Sequence, residues 1–289
     1  MPKSIGIFYF SGTGNTRIVA DLFAKELENK GCAVEIFAID DILKNNINID
    51  MEKYDIFGFG YPVHAFNAPR ISFDFVKMLP TVKQKKTFVF KSSGDPFFNG
   101  GSNTIVRKSL MRKGYNVFNE SLFVMPANVL LRYPDDMIKQ LYNAAAGNVK
   151  IQVDSILSGV VCLQKSNLFL RSATAMFSGL ESFGARFFGK DLTVSRSCTL
   201  CEICVRKCPT RNICRQEKII TFGLKCTLCM RCIYACPEKA ISPRFLKFFM
   251  IKNWYDFQKI INDPAIKGTY ISSTTKGYFK HYWQYLTKK

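Results

Sequence analysis

Nine of the eleven cysteines fall between Cys198 and Cys236, and eight of them form two runs of one pattern. The first is Cys198-x2-Cys201-x2-Cys204-x3-Cys208-Pro209, and the second is Cys226-x2-Cys229-x2-Cys232-x3-Cys236-Pro237. Each cysteine of the first run recurs 28 positions later, so the segment is an internal repeat. Thiols crowded in this way point to metal or redox chemistry before they point to a disulfide scaffold. Zinc sites use separated Cys-x2-Cys pairs and seldom a third closely spaced cysteine with a trailing Cys-Pro. The spacing suits an iron–sulfur cube: three sulfurs of one tight loop cap three irons, and the fourth iron takes a thiolate from afar. Cys32 opens a predicted strand and Cys162 ends a predicted helix, so both are expected as small buried hydrophobes. Cys214, among Arg211, Arg215 and Lys218, is either an exposed spacer residue or a thiol of lowered pKa.

A second constellation lies near the N-terminus, at Ser11-Gly12-Thr13-Gly14-Asn15-Thr16. Two glycines permit tight turns that aim several N–H groups at one anion. Three hydroxyls and the positive end of a following helix add to them. The loop lacks the lysine of the GxxxxGK[ST] pattern and the third glycine of GxGxxG. What remains favours a single terminal phosphate held by neutral donors.

These groups need a scaffold. Apolar, β-favouring runs at 4–10, 33–39, 54–59, 87–91 and 121–125 predict strands. Helical spacing near 16–30, 69–79, 103–113 and 134–160 separates most of them. The alternation predicts an α/β fold with a parallel sheet covered on both faces. Ligands of such sheets bind beyond the carboxyl ends of the strands, where strand order reverses, and Ser11–Thr16 sits between the first strand and the first helix.

On Ser11, Thr13, Gly14 and Thr16 the loop resembles the phosphate loop of flavodoxins, and the resemblance covers about residues 3–150. It implies a five-stranded doubly wound sheet binding FMN, with the phosphate on Ser11, Gly12, Thr13, Gly14, Asn15 and Thr16. The flat ring would lie between loops 60–67 and 92–101, with Pro62, Val63, His64, Phe66, Ser92, Ser93 and Gly94 as its expected contacts. Tyr61, Phe66 and Phe97 either touch the ring or belong to the core. His64 is either a proton-handling group or a loop hydrogen-bonder.

The cysteine array resembles bacterial-type two-cluster ferredoxins over about residues 190–245. That resemblance implies two [4Fe–4S] clusters in a small α+β domain, with the fourth cysteine of each run serving the other cluster. One cluster would use Cys198, Cys201, Cys204 and Cys236, and the other Cys226, Cys229, Cys232 and Cys208. The whole chain is similar to flavodoxin–ferredoxin fusion proteins of anaerobic microbes. The expected division is 1–150 for the FMN domain, 151–190 for a helical connector, 191–245 for the cluster domain and 246–289 for a basic aromatic extension.

Composition bounds the rest. The 289 residues (33.0 kDa) are 47% hydrophobic and 22% charged, which excludes wholesale disorder. Lacking a long uncharged apolar run and a leader pattern, the chain is expected in the cytoplasm. Formal charge is +19; residues 1–150 hold 19 Lys/Arg and 14 Asp/Glu, and 151–289 hold 22 and 8. FMN and two clusters would leave about +13. A positive surface steers acidic redox partners, or is simply a solvated basic face. No recognition motif supports nucleic acid as a partner. In the extension, apolar residues from 245 to 257 are spaced for a helix lying as a lid over the cluster domain; a surface for anionic lipid is less favoured.

The expected function is electron transfer that couples FMN to two clusters. The alternative is a reductase in which a small substrate meets the flavin near His64 or Asp95.

Overall fold

Five of the apolar runs become parallel strands: β1 (Ser4–Tyr9), β2 (Ala33–Ala38), β3 (Ile56–Pro62), β4 (Lys85–Ser93) and β5 (Tyr115–Val124). The computed structural model describes residues 2–64, 67–97, 100–164 and 183–287. The strands lie in the order β2-β1-β3-β4-β5. This is the flavodoxin-like doubly wound order, whose switch point lies between β1 and β3. Helices α1 (Asn15–Asn29) and α5 (Asp135–Leu157) cover one face. The other is covered by α2 (Ile39–Asn45), α3 (Arg70–Met78) and α4 (Gly100–Met111).

Side-chain alternation along the central strands builds both cores at once. Phe57, Phe59 and Tyr61 of β3 pack toward α3, whereas Phe88 and Phe90 of β4 pack toward α1. Between them, Gly60 faces the Phe90 ring, and a Cβ at this position would stand 2.2 Å from Phe90 Cζ. Gly60→Ala is therefore expected to destabilise the fold by about 1–3 kcal/mol through overpacking. A urea midpoint equal to that of the wild type would show that the ring moves aside freely.

Two elements differ from the sequence expectation. The short α2 follows β2 without a break and was not expected, because Ile39 read as the end of the apolar run 33–39 and the charged Asp40, Asp41 and Lys44 obscured the helix. Strand β5 begins at Tyr115, six residues earlier than expected, because Asn116, Asn119 and Glu120 interrupt its hydrophobic pattern. Asn119 and Glu120 are nevertheless buried. Arg107 binds the Glu120 carboxylate at 2.8 Å, and the Gln164 N–H donates to it at 2.8 Å. Cys162 does not end a helix: it is exposed, and its backbone bridges the edge of β5 at Asn119. Cys32 is half-buried.

The second half is small. Strands β6 (Leu192–Val194) and β9 (Ile241–Pro243) pair antiparallel, as do β7 (Ile213–Gln216) and β8 (Ile219–Phe222). Short helices at Ile203–Lys207 and Arg231–Tyr234 join them. Of the expected connector, residues up to Leu157 belong to α5 and 183–191 are helical, while 165–182 lie outside the described residues.

The extension corrects one expectation. Residues 245–257 form no amphipathic helix; only Lys247–Phe249 make a 3-10 turn, with Phe245 and Phe248 exposed. Beyond it the chain crosses to the first half, where Tyr255, Ile260, Ile271 and Tyr282 pack on Val124, Tyr133, Met137, Ile138 and Leu141. Burial against two different surfaces overrides the helical period. No helix among the described residues is long and apolar enough to cross a membrane.

Candidate functional site

At the carboxyl edge of the sheet, a small cleft of about 40 Å³, open to solvent, is lined by Ser11–Thr13, Asn15, Thr16, Pro62–His64, Ser92–Gly94 and Met125–Asn128. All three loops expected from the sequence thus converge on one space. Gly14 adopts φ 113°, open only to glycine without strain, and its N–H donates to Ser11 Oγ at 3.1 Å. Helix α1 starts directly after it, without a side-chain cap and without an acidic residue in its first turn. Its free N–H groups and positive end therefore face the cavity. Buried Thr16 shares a hydrogen bond with Ser92 at 2.7 Å, tying the first loop to the third. The Asn15 amide is used structurally, donating to Pro126 O at 2.6 Å.

The aromatic candidates divide. Tyr61 is wholly buried, with its hydroxyl donating to Asn103 at 3.3 Å, and is a core residue. Phe97 is partly exposed and meets the His281 ring edge-on at 5.1 Å. Phe66 lies outside the described residues. His64 donates from Nδ1 to Thr227 O at 3.2 Å, and burial pushes its pKa down to about 4 despite that carbonyl. At neutral pH it is an uncharged loop fastener. Gly94 is held from the other side: the hydroxyls of Tyr133 and Tyr282 reach its carbonyl at 2.5 and 2.6 Å. The extension thereby braces the third loop, and Tyr278 adds a bond to Asp95 at 3.2 Å.

The eight thiols gather in two groups of four. A small space of about 20 Å³ is lined by Cys198, Cys201, Cys204 and Cys236, and a second of about 20 Å³ by Cys208, Cys226, Cys229 and Cys232. The fourth cysteine of each run thus lines the cavity of the other run. All are free thiols. Among the described residues no three His, Cys, Asp or Glu side chains converge as a site for a single metal ion.

The backbone repeats with the sequence. Left-handed residues occur at Leu200, Glu202 and Arg211, and again 28 positions later at Leu228, Met230 and Lys239. The same sulfur-directed bonds recur: Asn212 N–H to Cys208 Sγ at 3.2 Å, and Ala240 N–H to Cys236 Sγ at 3.3 Å. Such donors favour a thiolate. Against them, burial pushes Cys226 up to about 12 and raises Cys229 and Cys232, each opposed or reinforced by neighbouring charges. A cage of this kind holds thiolates only with positive charge at its centre.

The second cage lies against the first cavity. A Cβ on Gly12 would stand 2.6 Å from Cys229 O, so glycine is needed for the two backbones to meet. Arg231 binds Ser11 O and Gly12 O at 2.6 and 3.2 Å and forms an ion pair with buried Asp40 at 2.6 Å. Neither Arg231 nor Asp40 was legible as a site residue, since the short α2 that carries Asp40 was itself missed. Met125–Asn128 had one available signal, its position after the fifth strand.

Beneath the third loop, Lys91 of β4 is wholly buried, and its ammonium reaches Ser102 Oγ at 3.4 Å. Burial pushes its pKa down to about 7, against the opposing pull of Glu120. Between pH 7 and 10.5 the unfolded chain therefore holds more protons than the folded one, so this group makes stability rise with pH across that window. Urea midpoints are expected to climb from pH 7 to 9, and Lys91→Met is expected to flatten the climb. An equal slope in the variant would assign the effect elsewhere.

No family model matches the chain. An uncharacterized protein of Methanocaldococcus jannaschii is 28% identical over 106 residues, 37% of this chain and 64% of that protein. Oxidised flavodoxin 2 of Bacillus cereus aligns with 17% identity and a TM-score of 0.41, covering 54% of this chain and 98% of that one. Rubredoxin oxygen:oxidoreductase of the anaerobe Desulfovibrio gigas aligns with 18% identity and a TM-score of 0.39, covering 54% and 38%. The chain thus spans less than two thirds of the Methanocaldococcus protein and of the oxidoreductase. Its own strand order, independent of these likenesses, is flavodoxin-like.

Proposed function

We propose that the chain is an electron-transfer protein holding one FMN and two [4Fe–4S] clusters. The observation that carries this reading is the grouping of eight thiols into two four-thiol cavities, one of them against the phosphate loop. Four thiols around each space suit a cluster with a metal at each thiol. The uncapped α1 end with its hydroxyls suits a phosphate. Bound FMN takes up two electrons and releases them singly, and a [4Fe–4S] cluster carries one at a time.

The chain's own residues supply placement. Ser11, Thr13 and Thr16 hold the phosphate; Pro62–His64 and Ser92–Gly94 flank the ring; the cysteines, under their N–H···S bonds, hold the clusters. His64 is neutral and its Nδ1–H is engaged with Thr227 O, which makes it a poor proton donor to a substrate and favours the carrier over the reductase. The basic surface supports acidic redox proteins as partners.

Anaerobic purification followed by iron, sulfide and flavin analysis tests the reading. It expects about eight iron and eight sulfide per chain with one FMN. Zinc in place of iron, or no flavin, would overturn it.

A further inference from the structure

We propose that Arg231, carried on the second cysteine loop, is a positioning residue of the phosphate site, and that it couples this site to the second cage. The inference rests on the reading above that Ser11–Thr16 takes the phosphate of FMN.

The geometry is that of two peptide planes held from behind. Arg231 donates from Nη2 to Ser11 O at 2.6 Å and from Nε to Gly12 O at 3.2 Å. In a trans peptide the carbonyl and the N–H point in opposite directions, and the chain has no cis bond among its described residues. With both carbonyls drawn toward the guanidinium, the N–H groups of Gly12 and Thr13 face the other way, toward the cavity that both residues line. Neither N–H donates to another described residue. They are donors without a protein acceptor, aimed where an anion is expected.

The guanidinium is itself fixed. Asp40 receives Nη1 at 2.6 Å, and Lys207 O receives the same nitrogen at 3.0 Å. Arg231 lies between Met230 and Cys232, so its backbone moves with the loop that carries Cys229 and Cys232. An emptied second cage relaxes that loop, and the two carbonyls lose their restraint. The coupling is reciprocal: phosphate binding orders the Ser11–Thr13 backbone and so steadies the cage.

The test uses the full chain, purified anaerobically with its clusters, and titrates FMN and riboflavin by quenching of flavin fluorescence. Riboflavin has the ring without the phosphate. Arg231→Gln is expected to weaken FMN about 10- to 100-fold, the worth of a charge-assisted hydrogen bond or two, and to leave riboflavin unchanged. Arg231→Lys is expected to recover part of the loss. Asp40→Asn, which keeps Arg231 but frees its guanidinium, gives a smaller loss in the same direction and serves if the first variant does not fold. Iron chelation of the wild type is expected to weaken FMN more than riboflavin.

Equal FMN affinity in Arg231→Gln and wild type would overturn the proposal. So would equal loss for FMN and riboflavin, which would make Arg231 a fastener of the two halves only. A wild type that binds neither flavin would instead overturn the underlying FMN reading.

Discussion

Cys236→Ala is expected to empty the cage of the first cysteine run, although Cys236 belongs to the second. Iron should fall from about eight to about four atoms per chain. The reason is geometric: Cys236 lines the space that also holds Cys198, Cys201 and Cys204, 32 or more positions earlier in the chain. Double variants separate this arrangement from ligation within each run. Adding Cys198→Ala to Cys236→Ala should remove no further iron, because both serve one cage. Adding Cys226→Ala should remove the rest. The opposite pattern, with Cys198→Ala abolishing the remainder, would mean that each run keeps its own fourth ligand. Iron analysis with EPR of the reduced protein reads out each combination.

The second large effect is expected from Gly12→Ala. The added methyl would sit 2.6 Å from Cys229 O, a backbone atom that cannot rotate away, and 3.3 Å from Cys229 Cβ. Relief requires the two halves to part, which stretches the Arg231 bonds to Ser11 and Gly12. Overpacking of this kind costs about 1–3 kcal/mol, or a melting temperature lower by roughly 2–5 °C in a chain of this size. FMN binding should weaken at least about tenfold with it. Gly14→Ala is the control. Its Cβ meets nothing within 4 Å, so it strains the loop locally without separating the halves. Differential scanning calorimetry and flavin titration would compare the two. A Gly12→Ala protein that melts and binds FMN like the wild type would show that the contact with Cys229 is not a close one in solution.

Much of this organisation was legible in residue types alone. The cysteine spacing and its offset of 28 marked two four-cysteine runs, and the resemblance to two-cluster ferredoxins, not the spacing, implied that their fourth members are exchanged. The strand-to-helix loop was equally legible, since Gly12 and Gly14 are useful in that position and costly elsewhere. What escaped was set by contacts between distant segments. Strand β5 was cut short in the sequence reading because buried Asn119 and Glu120 look like surface residues until Arg107 and Gln164 are seen to satisfy them. Arg231 read as one cation among many in a basic segment. Its importance comes from Ser11, Gly12 and Asp40, about 190 to 220 residues away. Likewise, the apolar spacing of 245–257 suggested one buried helical face, whereas Phe245 and Phe248 are exposed and Tyr255 packs on the first half, since period says nothing about which of two surfaces a segment reaches.

The return of the extension across α5 bears on how this polypeptide can be dissected. Tyr255, Ile260, Ile271 and Tyr282 shield an apolar strip made of Tyr133, Met137, Ile138 and Leu141. A fragment ending near residue 164 would lay that strip bare to water and leave Gly94 without Tyr282. The flavodoxin-like portion is therefore no self-sufficient module to which a cluster cassette was merely appended. Its architecture is closed by residues far downstream, so complete burial of the first half must await synthesis of residues 255–282 during translation.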